Sequence, residues 1–466
     1  MANFIIWSGT DIVHSVLRTG GAYQVASWLR QYGYTVQVVD FGYNLTGEMI
    51  AEITEKYIDK DTYAIGVSAT FWNLDVIDID NVRQVVIPVP KWARTARQKI
   101  ESKYPNIEWI LGGASANAVH SKMKWLRMPD YAEDKILKYF DEKSGNKIIR
   151  PNFDIKNYVR KYTETDFVGQ HEVLTLELGR GCIFKCKFCS YPYIGKKKGT
   201  YVRSYSDLKD EVMYNYERWG VTKYYYTDDT VNDDEDKLRD LVKLKNSVPF
   251  DLEWLGFLRA DLLWAKPHTV DMLEESGLKT AFFGIETFNP YSAKLIGKSW
   301  SGTHAKDYLL ELKEKWGDRI NWHLGLILGL PGWTYSELEK DMDWLITNNM
   351  HRWKWWSLYI NPVSGKIYQS EFDRDYTKYG ISFRPNNQIN WEYKNLRHDQ
   401  LRLAALHANE WCDPHCSVGG WLVGELSTTY KKSMAETMQM KLSDVSYEHA
   451  RETSRKLAIE YASKHV

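Results

Sequence analysis

VLTLELGRGCIFKCKFC, residues 173–189, runs from a strand-like apolar stretch straight into a loop with three cysteines. The 466-residue chain has only five cysteines, so the cluster at Cys182, Cys186 and Cys189 stands out. With three and then two residues between them, these thiolates can wrap one face of a cubic iron–sulfur cluster. A [4Fe–4S] cluster normally takes four thiolates, so three leave one iron open to bind a substrate or cofactor. A structural zinc ion is the alternative. It wants a closed tetrahedron, and the nearby sequence offers no fourth Cys or His.

Outward from that loop, strand and helix alternate. Candidate strands are VLTLELG (173–179), KYYYTD (223–228), LEWLGFL (252–258), TAFFGIE (280–286) and WHLGLILG (322–329), with WWSLYIN (355–361) as a sixth. Helical stretches fill the gaps, among them SDLKDEVMYNYERWG (206–220), where Ser206 is the expected N-cap. Six such units predict a partial (β/α)6 barrel over 171–365, with its active groups at the C-terminal ends of the strands. Upstream, FIIWSG (4–9), TVQVVDF (35–41), TYAIGVSATF (62–71) and IEWILGG (107–113) alternate with the amphipathic stretches 20–33, 49–58 and 92–104. That pattern predicts a doubly wound, Rossmann-like parallel sheet over 1–147. Residues 148–170 read as a linker, and 366–466 as a mainly helical extension ending in SYEHARETSRKLAIEYASKH (446–465). The fold class is α/β.

Lys plus Arg and Asp plus Glu both number 61, so no charge field draws the chain to bulk nucleic acid or a membrane surface. The opening MANFIIWSGTDIVHS has too short an apolar run, and no basic start, for a signal peptide. No stretch has membrane-spanning length. Few cysteines, mostly clustered, fit a reducing cytoplasm and a metal better than a disulfide framework. The 20 Trp and 31 Tyr are spread along the chain and read as packing material.

C-x3-C-x2-C after the first strand of a barrel, with Phe188 just before the last cysteine, resembles the radical S-adenosylmethionine (SAM) superfamily. Six pieces in order carry the resemblance: RGCIFKCKFC (180–189), YYYTDDTVNDD (224–234), WLGFLRADLL (254–263), FFGIETFNPYSAKLIGK (282–298), LGLILGLPGWT (324–334) and INPVSGKIY (360–368). The resemblance implies a cluster whose open iron chelates SAM. One electron then cleaves the sulfonium to methionine and a 5′-deoxyadenosyl radical, so an external donor of flavodoxin or ferredoxin type is implied. Site residues carry over in the same way. Phe188 would lie against the adenine. Gly325 and Gly329 would leave room beside it, with Ile327 on its face; ordinary strand glycines are the alternative. Arg259 would pair with the methionine carboxylate. Asp228 and Glu286 would bind the amino group or ribose hydroxyls, or else serve structural ion pairs. The chain lacks the superfamily's Gly-Gly-Glu after the second strand and has Thr227, Asp228 and Asp229 there.

A doubly wound domain ahead of such a barrel resembles the cobalamin-binding branch. Ser68–Thr70 and Gly112–Ala114 follow strands, and an open α/β sheet binds its ligand at strand C-termini. Ser68, Thr70, Gly112 and Gly113 are therefore candidate cobalamin contacts. The Asp-x-His-x-x-Gly loop that supplies a cobalt ligand is missing, and His14 of DIVH (11–14) is expected to be an ordinary loop histidine. Three readings stay open: a cobalamin-dependent radical methyltransferase, a corrinoid-free hydrogen-abstracting enzyme whose first domain is a scaffold, and, least favoured, a non-catalytic or zinc-binding protein built on the same barrel. A methylthiotransferase is disfavoured, because the first domain has no cysteines. CDPHC (412–416) is read as two unliganded cysteines, Cys412 and Cys416, in preference to a second metal site with His415.

Overall fold

The computed structural model describes residues 2–10, 17–70, 72, 75–79, 81–190, 202–298, 300–350, 352–360, 368–385, 387–410 and 428–465. Its first eight strands are β1 (Phe4–Trp7), β2 (Val36–Val39), β3 (Ala64–Ser68), β4 (Asp75–Ile79), β5 (Val82–Pro88), β6 (Glu108–Gly113), β7 (Val119–His120) and β8 (Leu126–Pro129). Five of them form an all-parallel sheet in the order β2-β1-β3-β6-β8. Both faces carry helices, which explains why FIIW and VQVV are apolar or buried throughout instead of alternating. The strand order reverses next to β1, the place where such sheets bind ligands.

The second sheet holds β9 (Val173–Leu176), β10 (Lys223–Tyr226), β11 (Glu253–Leu258), β12 (Leu278–Glu286), β13 (Asn321–Leu328) and β14 (Trp353–Ser357), paired in sequence order and all parallel. These are the six expected strands of a partial barrel. Side chains alternate between its two faces. Ala281, Phe283 and Ile285 of β12 pack outward in the large core under the helices. Phe282 points inward, in a small cluster with Val173 and Leu255.

Three local features differ from the sequence reading. Helix Tyr205–Trp219 is capped by Ser204, whose side chain accepts from the Asp207 amide at 3.2 Å, so the cap stands two residues before Ser206. Residues 148–170 are packed: Tyr158, Tyr162 and Val168 are buried. Arg160 donates to Glu211 at 3.0 Å, and Arg203 pairs with the same carboxylate at 2.8 Å. A polar-looking linker is thus tied to the barrel by a buried ion triad. The C-terminal part, though rich in helix, also contains β15 (Ser382–Arg384), β16 (Asn387–Tyr393) and β17 (Leu396–Arg397). β16 pairs with β5, joining the extension to a hairpin of the first domain.

Two C-terminal helices close the back of the molecule. Thr428, Tyr430 and Lys432, on helix Thr428–Met438, meet Asn321, Val173 and Glu253, the first residues of their strands. This helix seals the amino end of the barrel. Helix Tyr447–Lys464 returns to the first domain, where Tyr461 donates to the Val38 carbonyl at 3.1 Å and packs edge-on against Phe41.

Candidate active site

The cysteine loop leaves β9 at the carboxyl end of the barrel and is held on two sides. The Lys187 amide donates to the Ile296 carbonyl at 3.1 Å, and the Phe372 amide donates to the Lys187 carbonyl at 3.1 Å. Gly297, at φ +85°, lies flush against it: a Cβ there would stand 3.5 Å from the Lys185 carbonyl oxygen. Cys186 is buried, while Cys182 and Cys189 are partly open. The Cys189 amide donates to the Cys186 carbonyl at 3.0 Å, which turns both side chains off one tight bend. Cys182 Sγ is hydrogen-bonded to Thr230 Oγ1 at 3.4 Å, and Arg259 Nη1 donates to Cys186 Sγ at 3.5 Å.

Three cysteines on one loop, with a cation and a hydroxyl at their sulfurs, are a donor set for a thiolate-bound cluster. Among the described residues, no three Cys, His, Asp or Glu side chains converge closely enough for a single metal ion. A cubane takes one thiolate per iron, so its ligands stand farther apart than those of one zinc ion. The three-cysteine loop fits the cluster.

Next to the loop are the strand ends. Glu286 closes β12 at φ +68°, a left-handed conformation that an acidic side chain adopts at a cost. The register slips there, between Gly284 and Glu286. Lys298 pairs with Glu286 at 3.3 Å and donates to the Gly284 carbonyl, holding the carboxylate at the barrel mouth. Ile327 is buried on β13, and Phe188 is half-buried against the main core.

Three expected ligand contacts are engaged elsewhere. Asp228 is fully buried and paired with Lys237 of helix Glu235–Ser247 at 2.9 Å. It stands two residues past the end of β10, and its partner Lys237 comes from the helix layer. That is the structural alternative for this residue. Gly325 faces inward, but Phe282 and Trp356 fill the place of its absent Cβ, at 2.5 and 3.1 Å. Gly329 has φ +85° and abuts Leu401 and Trp391 of the extension. Both glycines permit close approach of protein side chains, the ordinary role of a strand glycine. Arg259 does sit at the cluster loop, but its fork is occupied: Nε and Nη2 hold Asp261 at 3.0 and 2.6 Å. Burial would lower its pKa, and Asp261 more than offsets that, so the guanidinium is held above its ordinary value.

The first domain presents its carboxyl edge to this mouth. Arg180, two residues before Cys182, pairs with Glu177 of the barrel at 2.7 Å and with Glu133 of helix Glu133–Lys143 at 2.5 Å. Its guanidinium lies 3.9 Å over the Tyr131 ring. Tyr368, beyond β14, donates to Asp130 just after β8. Along the same edge Ser68, Thr70, Gly112 and Gly113 are partly or fully open, and the Ala69 amide donates to the Gly112 carbonyl at 2.9 Å. A Cβ on Gly112 would touch only the Met128 carbonyl oxygen, at 3.9 Å, so that position faces open space. His14, Cys412, His415 and Cys416 lie outside the described residues.

Sequence reasoning did not single out Thr230, Asp261, Lys298 or Arg180. Asp261 was legible as Arg-x-Asp, a spacing that lets a carboxylate clamp the guanidinium. Lys298 ends the stretch 282–298 but is twelve residues from its partner and gives no periodic signal.

Residues 176–345 match the radical SAM superfamily. The chain carries a radical SAM domain. Members of that superfamily use a [4Fe–4S] cluster and SAM, which is the chemistry the cysteine loop fits. The cytidylyl-2-hydroxyethylphosphonate methyltransferase of Streptomyces wedmorensis is 26% identical over 198 residues, 41% of this chain and 35% of that one. The chain spans about a third of the length of the curated relatives it matches. The fold extends beyond the radical SAM domain. The radical SAM methyltransferase TsrM from Kitasatospora setae, solved with cobalamin and a [4Fe–4S] cluster, aligns over 99% of this chain and 100% of that one, with TM-score 0.65 and 12% identity. The cobalamin-dependent enzyme OxsB, solved with aqua-cobalamin and SAM, aligns over 98% of this chain and 66% of that one, with TM-score 0.51 and 13% identity. Among the described residues, no helix is long and apolar enough to cross a membrane.

Proposed function

We propose that this chain is a radical SAM enzyme that transfers a methyl group to an unactivated carbon with the help of cobalamin. Cys182, Cys186 and Cys189 would hold the cluster, Glu286 held by Lys298 would bind a polar group of SAM, and Phe188 and Ile327 would line the adenine. Ser68, Thr70, Gly112 and Gly113 would lie along the corrinoid. Bound there, cluster and SAM supply reductive cleavage of the sulfonium, fed by an external one-electron donor, while cobalamin supplies a methyl carrier.

The observation that carries this reading is the meeting of the two carboxyl edges. Arg180 spans them, so a ligand on the first sheet would face the cysteine loop across the barrel mouth. The small residues along that edge suit a large ligand that lies flat on backbone. Supporting it, the fold aligns over 99% of this chain with TsrM, a methyltransferase solved with cobalamin. The second reading is a corrinoid-free hydrogen-abstracting enzyme with the first domain as scaffold; the missing Asp-x-His-x-x-Gly motif does not separate the two, since proteins resembling the cobalamin-binding branch often lack that histidine.

The test is anaerobic. The chain is reconstituted with iron and sulfide, given hydroxocobalamin, desalted, and treated with dithionite and SAM. A corrinoid absorption band that survives desalting, with 5′-deoxyadenosine or S-adenosylhomocysteine formed, is the expected result. A cluster with 5′-deoxyadenosine but no retained corrinoid selects the second reading. Absence of a cluster overturns both.

A further inference from the structure

We propose that Arg259 and Asp261 form a charge pair that sets the reduction potential of the cluster at Cys186, with Arg259 donating to the sulfur and Asp261 positioning it. The inference deepens the proposed function and rests on it.

Every polar edge of the guanidinium has a partner. Nε and Nη2 grip the two oxygens of Asp261 at 3.0 and 2.6 Å, and Nη1 reaches Cys186 Sγ at 3.5 Å. The plane lies 4.0 Å over the Phe184 ring, which comes from the cysteine loop itself. The backbone is locked as well: the Arg259 amide donates to Asn232 Oδ1 at 2.9 Å, and Asn232 Nδ2 donates to the Arg259 carbonyl at 2.9 Å. Arg259 is only 8% exposed. A long side chain held at both ends and shielded from water cannot swing freely to a ligand. Its bidentate fork, the part suited to a carboxylate, is already taken.

A fixed cation on a cluster sulfur has a definite consequence. When the external donor adds one electron to the cluster, the sulfurs gain negative charge. A guanidinium hydrogen-bonded to one of them stabilises the reduced state and raises the potential. The effect is large because charges act more strongly in a desolvated site than in water. Asp261 acts in two ways: it aims the guanidinium, and its own charge opposes reduction. The two residues therefore push the potential in opposite directions, a signature that mere packing would not give.

The test is potentiometric, on the full chain with a reconstituted cluster and with SAM omitted. Iron and sulfide are counted first. A wild-type chain without a cluster overturns the proposed function itself. With clusters present, Arg259→Gln is expected to lower the ratio of reduced to oxidised cluster about tenfold at a fixed ambient potential, ~59 mV for a one-electron couple. Arg259→Lys, which keeps the charge but lacks the fork, recovers part of that shift. Asp261→Asn shifts the potential upward. Unchanged potentials in cluster-replete Arg259→Gln and Asp261→Asn overturn the proposal and return Arg259 to SAM binding. If Arg259→Gln fails to hold a cluster, Asp261→Asn decides alone: an upward shift supports the pair, and no shift overturns it.

Discussion

At the carboxyl end of the barrel the candidate site side chains are charged, buried or half-buried, and already bound to one another. Arg259 is clamped by Asp261, and Glu286 is held by Lys298 in a strained backbone conformation. At the carboxyl end of the first sheet the corresponding residues are Ser68, Thr70, Gly112 and Gly113, small, uncharged and partly or fully open. The barrel end is preorganised for electrostatic work on a compact group, where fixed charges matter most. The edge of the first sheet offers shape instead, and small residues there admit a broad ligand wherever backbone is bare. One chain thus presents a rigid charged site and a bland adaptable one across the same gap.

The contrast can be broken from either side. The largest effect is expected from Cys186→Ala, which removes the buried thiolate: iron and sulfide should fall to near zero while hydroxocobalamin retention stays intact. Loss of both would mean that the two sites are one cooperative unit. Next comes Lys237→Met, which removes the cation paired with the buried side chains of Asp228 and Asp233. Removing one partner from a buried pair costs about 3–5 kcal/mol, read as a lower urea midpoint. A stable variant with weakened SAM binding would instead make Asp228 a ligand contact.

Acid sharpens the comparison at a smaller scale. Burial lowers the pKa of His398, with Arg402 adding to it, and of His465, with Arg18 adding to it, each to about 4. Each ring is thus neutral when folded and takes a proton more readily unfolded. Their contribution is complete above the unfolded pKa near 6.5 and is lost as pH falls from there toward 4. At pH 5 the loss is roughly 2 kcal/mol per histidine, measured by urea unfolding across that range and removed by His465→Gln for its share. The smallest effect is Gly112→Phe. It projects into open space, so stability should hold within ~0.5 kcal/mol while corrinoid affinity falls about tenfold.

The barrel was legible because each strand is short and apolar, each is followed by a helix, and the strands pair in sequence order; nothing had to be known about distant residues. The cysteine loop was legible for the same reason, since its ligands are neighbours in the chain. What stayed hidden depends on direction or distance. Asp228 looked like a site residue by position, but its partner is Lys237 of the helix layer, and only that pairing reveals its role. Gly325 and Gly329 marked close contacts without saying with what, and the partners come from β12, β14 and the extension. The ties of residues 148–170 are likewise nonlocal: Arg160 reaches Glu211, fifty-one positions away.

The return of helix Tyr447–Lys464 to the first sheet bears on how the molecule is made. The hydrogen bonds of Tyr461 with Asp40 and Val38 join residues 421 and 423 positions apart. As the chain leaves the ribosome, β1, β2 and β3 emerge early, yet the ring that covers Phe41 arrives only after the whole barrel has been synthesised. The first domain must therefore wait with part of its apolar surface uncovered, a long-range closure that slows folding and leaves the nascent chain in need of protection.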